Sequence, residues 1–330
     1  MSSNTGNCQR RRYGVLVCEN QEKWGGVRGM GKRFIDAFGS DSDADREEWH
    51  IFSAVDGELP SEKDLNTFNG FFISGSYRSA NDNLKWINDL KNFISSAAKS
   101  PSKARFVGVC FGHQIIGAAL GGKVTPNPSK KFVLQSEEIK SVEDFQGNEA
   151  FRELIESRDS LRLLECHGDC VASLPPGATS LANSATCQHE MIQYTENIFG
   201  IQAHPEFTVQ DYKEVLIPDL EAEGKLDVYG RRVCEETISL PLDSVGVRSK
   251  AGDCVQFQLP NLSRIKEPRT DSPDMCSPTA ETHFHFLLVL EGEKKTLKEE
   301  REVHSTATKH GGEFVGECSS TGMPTSILFS

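Results

Sequence analysis

Ten residues, Arg105-Phe-Val-Gly-Val-Cys-Phe-Gly-His-Gln114, constrain this chain more than any other stretch. Phe106 to Val109 is a short apolar run that reads as a buried parallel strand. Gln114 to Leu120 reads as a helix closed by Gly121-Gly122. Between them lies Cys110, with Gly108 two residues before it and Gly112 two residues after. This is the G-x-nucleophile-x-G pattern of a sharp strand-to-helix turn, which tolerates only small residues beside a strained nucleophile. Such a turn projects its side chain at the carboxyl end of the strand, where open α/β sheets hold their ligands. The following helix directs its N-terminus at the thiol, and that end favours negative charge. A lone cysteine on a strand is more often simply core, so the turn alone does not establish catalysis.

A second stretch supplies what a cysteine nucleophile needs. Ile198 to Ala203 reads as another short strand and runs directly into His204-Pro205-Glu206. A thiol needs a base, and the base needs a carboxylate to orient it. Cys110, His204 and Glu206 provide all three. Gly108 to Gln114 together with Gln202-Ala-His-Pro-Glu-Phe207 resembles the class I glutamine amidotransferase family. Gly57 to Leu65, Phe71-Phe-Ile-Ser-Gly-Ser76 and Glu165-Cys-His-Gly-Asp-Cys-Val171 narrow the resemblance to the plant γ-glutamyl peptidases of that family. The resemblance covers about residues 11 to 232, by the motif-in-context standard.

The resemblance implies an α/β fold with an open, mostly parallel, flavodoxin-like sheet flanked by helices. It also implies an oxyanion hole of two backbone N–H groups, carried over here to Gly75 (or its neighbour Ser76) and Phe111. Read from the residues alone, Ser74-Gly75-Ser76 is either such a donor loop or a plain strand-to-loop turn. Ser76, Gln114 and His167 are expected to face the substrate. His167 and Asp169 read either as a second acid–base pair or as a structural hydrogen-bonding pair, and the structural reading is favoured. The implied chemistry is hydrolysis of a γ-glutamyl amide, in glutathione or a glutathione conjugate, through a thioester on Cys110, with neither metal nor other cofactor. A glutaminase that releases ammonia, and an inactive metabolite-binding protein of the same fold, are the alternatives. The C-terminal segment carries no G-x-x-x-x-G-K-S/T loop, which disfavours a fused ATP-using synthetase.

A net charge of −12 disfavours nucleic acid and anionic membranes as partners, since both require a basic footprint. A small γ-glutamyl molecule is the expected partner. The ten cysteines include no C-x-x-C pair, and Cys166-His167-…-Cys170 lacks a second half for a metal site. Met1 to Arg12 is polar with no secretory h-region, so unpaired thiols in the cytosol are expected.

Buried strands are expected at Tyr13–Cys18, Trp49–Val55 and Gly70–Ile73, and helices at Lys32–Phe38, Asn83–Ala98 and Phe151–Ile155. Three parts follow: a polar lead-in over 1–12, the amidotransferase-like domain over 13–232, and an atypical segment over 233–330. Seven proline or glycine residues between Pro241 and Pro278 interrupt any helical period. A largely disordered tail is therefore expected in place of the family's closing helix.

Overall fold

The computed structural model describes residues 10–40, 47–142, 160–244 and 247–248, all within one unit of the chain. The helix expected over Phe151–Ile155, the first nine residues of the lead-in, and the tail from residue 249 lie outside the described residues.

Five apolar runs form the parallel half of the main sheet. They are β1 (Arg11–Val17), β2 (Glu47–Ser53), β3 (Gly70–Ile73), β4 (Arg105–Val109) and β11 (Ile198–Ile201). Their order is β2-β1-β3-β4-β11, and every neighbouring pair is parallel. Every residue of β3 and β11 is buried, as expected of strands covered on both faces. Beyond β11 the sheet continues antiparallel through β10 (Met191–Thr195), β9 (Thr179–Asn183), β6 (Val133–Ser141) and β7 (Leu161–His167). A separate antiparallel pair joins β5 (Lys123–Pro126) to β8 (Asp169–Ser173).

Strand alternation assigns the two faces. Val15, Val17 and Phe72 turn toward α1 (Gly26–Phe38), which presents Met30, Phe34 and Phe38. Leu16, Phe71 and Ile73 turn the other way, toward Ile87, Leu90 and Ile94 of α3 (Lys85–Lys99) and Ile115 and Ile116 of α4 (Phe111–Ala119). The short α2 (Glu62–Leu65) opens with a Ser61/Asp64 capping box. Phe71 and Phe72 are each almost wholly buried, and burial of a phenylalanine contributes about 1.5–3 kcal/mol.

Helix α1 starts six residues before the expected Lys32. Glycine is a poor helix former, which is why the sequence reads as loop there. The structure supplies the compensation: a Cβ on Gly31 would lie 2.6 Å from Ile51 Cδ1, so glycine lets α1 approach the sheet closely. Strand β2 spans Glu47–Ser53, and the expected last residues, Ala54 and Val55, form a tight turn instead.

The C-terminal end also differs from expectation. Residues 209–222 are helical, with a π turn over Tyr212–Leu216 that leads into α5 (Ile217–Ala222). Then α6 (Val228–Thr237) follows, so position 232 lies in mid-helix rather than at a boundary. Cys234 and Ile238 are buried, and Ser136 of β6 donates its hydroxyl to Thr237 O at 2.7 Å. A closing helix is present, built on a pattern with few apolar residues that the prolines and glycines beyond it obscure.

Candidate active site

Strand β4 ends at Val109 and α4 begins at Phe111, so Cys110 carries the whole turn. Its φ of 51° and ψ of −107° lie where a non-glycine residue is rarely found, a conformation costing about 1–3 kcal/mol. The flanking glycines are required by space. A Cβ at Gly108 would lie 2.5 Å from Gly112 O, and one at Gly112 would lie 2.2 Å from Ile73 O. Phe111 is the first residue of α4, so its N–H has no place in the helix's own hydrogen-bond ladder.

Parallel pairing of β4 with β11 sets Ile201 beside Val109, so the chain leaves both strands at the same end of the sheet. This brings His204 to Cys110. The ring Nδ1 of His204 lies 2.8 Å from Glu206 Oε1. Its Nε2 lies 3.3 Å from the carbonyl oxygen of Cys166, and Cys110 Sγ lies 3.5 Å from that same oxygen. Thiol and imidazole thus converge on one acceptor at the end of β7. Cys110, His204 and Glu206 are 5%, 4% and 3% exposed. Burial alone would lower the His204 pKa. The charges of Cys110 and Glu206, and hydrogen bonds to both, outweigh it and raise the pKa well above its ordinary value. With Nδ1–H donating to Glu206 and Nε2–H to Cys166 O, this geometry suits an imidazolium.

The loop after β3 closes the third side. A Cβ on Gly75 would lie 3.1 Å from His204 Cε1 and 3.8 Å from Cys110 Cβ, so Gly75 sits directly against both. Ser74 accepts from the Cys18 amide at 2.9 Å and donates to Gly75 O at 3.0 Å. The Ser76 hydroxyl accepts from the Arg78 amide at 3.2 Å. Gln114 Nε2 donates to Asp169 O at 2.8 Å and to Gln202 Oε1 at 3.1 Å.

His167 and Asp169 do not form an acid–base pair. His167 Nδ1 bonds the backbone oxygen of Asp169 at 3.0 Å, and lies 2.9 Å from Asn127 Oδ1. The Asp169 carboxylate accepts from Ser79 Oγ instead. Burial pushes the His167 pKa down to about 4, which keeps the ring neutral.

Of the residues expected at the site, all but Phe111 line a single cavity of about 230 Å³. Three further residues contribute without having been expected at the site. Glu19, at the end of β1, accepts from the Asn20 and Gln21 amides at 2.9 Å each and from the Tyr77 amide at 3.2 Å. One carboxylate thereby ties the β1 loop to the loop bearing Gly75. Phe207 stacks on His204 with centroids 4.6 Å apart, and Trp24 stacks on Phe207 at 5.0 Å. The adjacency of Phe207 to the His-Pro-Glu run was the one available signal; the others meet the site only through the fold. Behind Cys110, His204 and Glu206, Glu165 and Glu190 are fully buried. Burial, then the Glu190 and Glu137 charges, raises the Glu165 pKa well above its ordinary value; burial, with the Glu137 charge, brings Glu190 to about 8. Among the described residues no group of three or more His, Cys, Asp or Glu could hold a metal ion, and no helix is long and apolar enough to cross a membrane.

Residues 50–220 match the glutamine amidotransferase class-I family, and the chain belongs to it. Among its relatives is γ-glutamyl peptidase 3 of Arabidopsis thaliana, 32% identical over 216 residues, covering 63% of this chain and 80% of that protein. A putative glutamine amidotransferase of Saccharomyces cerevisiae is also 32% identical over 216 residues, covering 62% of this chain and 79% of its own. A glutamine amidotransferase of Thermotoga maritima shares the fold, with a TM-score of 0.56 at 20% identity over 76% of this chain and all of that one.

Proposed function

We propose that this chain is a cysteine-dependent hydrolase that cleaves the γ-glutamyl amide bond of glutathione or of a glutathione conjugate. Family membership supports chemistry of the hydrolase or amidotransferase type, and the similarity to a γ-glutamyl peptidase favours a peptide amine as leaving group. The observation that carries the reading is the convergence of Cys110 and His204 on one carbonyl, with Glu206 2.8 Å behind the ring, inside a cavity.

In this mechanism His204 takes the Cys110 proton, and Glu206 holds the ring in the required tautomer and stabilises the imidazolium. The thiolate attacks the δ-carbonyl of the γ-glutamyl group. The amides of Gly75 and Phe111 receive the oxyanion, where loss of one donor typically costs about 10²–10³ in rate. The amine leaves with the proton from His204, and water then hydrolyses the γ-glutamyl thioester to free glutamate. Ser76, Gln114 and His167 line the same cavity, and in this mechanism they face the substrate.

The test measures free glutamate and the Cys-Gly product from glutathione and from an S-alkyl conjugate, with L-glutamine alongside. Turnover of the γ-glutamyl peptides by wild type, abolished in Cys110→Ala, is the expected outcome. Ammonia release from glutamine with no peptide cleavage would establish the glutaminase reading that the yeast relative's name suggests. Folded protein that turns over none of the three would leave a binding protein of this fold.

A further inference from the structure

The turn that carries His204 and Glu206 holds itself together poorly. Pro205 has no N–H to donate, and the turn's one internal backbone bond, Phe207 N–H to His204 O, is long at 3.3 Å. Yet Glu206 must stay aligned with His204, and Phe207 must keep its ring stacked on the imidazole. The His204 amide is held from outside by Leu164 O at 2.8 Å, and for the rest of the turn the external support comes from a residue sixteen positions beyond the expected end of the domain. After α6 the chain returns to the sheet, where Asp243 bonds Arg162 twice, backbone to backbone and amide to carboxylate, both at 2.9 Å. Val247 is wholly buried in the same core as Phe207 and Tyr212. From there the Arg248 guanidinium donates Nε–H to Pro205 O at 2.5 Å and Nη2–H to Phe207 O at 3.2 Å.

Those two carbonyls flank Glu206 on either side. A planar guanidinium that binds both fixes the orientation of the two peptide groups relative to one another, and so the direction in which Glu206 and Phe207 point. A lysine ammonium has no such fork. The charged groups around the guanidinium are Glu206, Asp211 and Arg33, and Arg33 is itself paired with Asp211 at 2.8 Å.

We propose that Arg248 is a positioning residue for the catalytic turn, so that the segment from 233 to 248 belongs to the catalytic unit. The inference rests on the reading of Cys110, His204 and Glu206 as the triad. It also predicts that a chain cut at residue 232 loses activity through loss of alignment at His204.

The experiment uses the full chain as wild type, Arg248→Ala, Arg248→Lys and Cys110→Ala. Its readouts are kcat and KM for γ-glutamyl release, the rate of iodoacetamide alkylation at Cys110 resolved by peptide mass spectrometry, and rescue by ethylguanidinium. Arg248→Ala is expected to lower kcat about tenfold or more while KM stays within about twofold, the signature of misalignment rather than lost binding. Alkylation of Cys110 should slow with it. Ethylguanidinium should restore part of both in Arg248→Ala and change neither in wild type, and Arg248→Lys should fall between the two. A folded Arg248→Ala with wild-type kcat and alkylation rate overturns the proposal, as does a loss that ethylguanidinium leaves unchanged. If Arg248→Ala does not fold, Arg248→Lys decides by the same readouts, and wild-type values in it overturn the proposal. If instead wild-type Cys110 alkylates no faster than the other cysteines and Cys110→Ala retains turnover, the triad reading itself fails and the inference goes with it.

Discussion

His204 is the residue on which the side chains of the candidate site converge. Its Nδ1 faces a carboxylate, its Nε2 faces the carbonyl shared with Cys110, and Phe207 covers its ring. Because burial alone would lower its pKa, an imidazolium depends on the anionic partners the site can offer, Glu206 among them. Glu206→Gln removes one of them and keeps the shape. It should lower kcat by at least about 10², as expected when the group that orients a catalytic imidazole is neutralised. It should also move the His204 titration to lower pH, since a stabilising negative charge is lost. Steady-state kinetics and the chemical shift of the His204 ring against pH would check both effects. An unchanged titration in a folded variant would show that Glu206 does not support the charged ring.

At the scale of elements, the strand-to-helix turn is held in place by close backbone packing on both of its flanking glycines. Gly112 lies at the start of α4, where a Cβ would lie 2.2 Å from the backbone oxygen of Ile73. Backbone cannot yield as a flexible side chain would, so α4 would have to shift away from β3. Gly112→Ala should therefore destabilise the protein by about 1–3 kcal/mol or more, the range for overpacking a filled core. It should also reduce activity, because Cys110 immediately precedes the displaced helix. Denaturant unfolding with parallel kinetics would measure the two losses. A variant with unchanged midpoint and kcat would mean that the turn relaxes at no cost.

Across the whole molecule, buried titratable groups oppose one another. Burial lowers the pKa of His113 to about 3 and of His167 to about 4, from an ordinary 6.5. The unfolded chain takes up these protons below pH 6.5 and the folded chain does not, so this stability is lost as pH falls through that value. Burial raises Glu190 to about 8, from an ordinary 4.5, and raises Glu165 in the same direction. The folded chain keeps these protons above pH 4.5 and the unfolded chain releases them, so stability is lost as pH rises toward 8. Over about pH 4.5 to 6.5 the two carboxyls offset two of the three lowered histidines, the third being His189, which burial also lowers. A melting temperature that rises only slightly with pH in that window and falls on both sides is expected by calorimetry. Glu190→Gln should flatten the alkaline limb; an unaltered limb would show that Glu190 is ionised in the folded state.

The sequence by itself determined the local units around the candidate site. The G-x-C-x-G spacing marks the elbow because only glycine fits between a strand and a helix at such close approach, and this requirement is local. Cys110 and His204 could be paired because each follows a short apolar run whose period and length identify a buried strand, with Glu206 two residues beyond His204. Gly70–Ile73 was legible for the same reason, and it has the expected bounds. The start of α1 was not, because its glycines are poor helix formers and only the proximity of Ile51 explains them. The tertiary structure alone decided which distant groups meet at the site. Glu19, the carbonyl of Cys166 and the guanidinium of Arg248 come from the loop after β1, from β7 and from the segment beyond α6. Their roles depend on hydrogen bonds between distant parts of the chain, and no periodicity or spacing encodes such a bond.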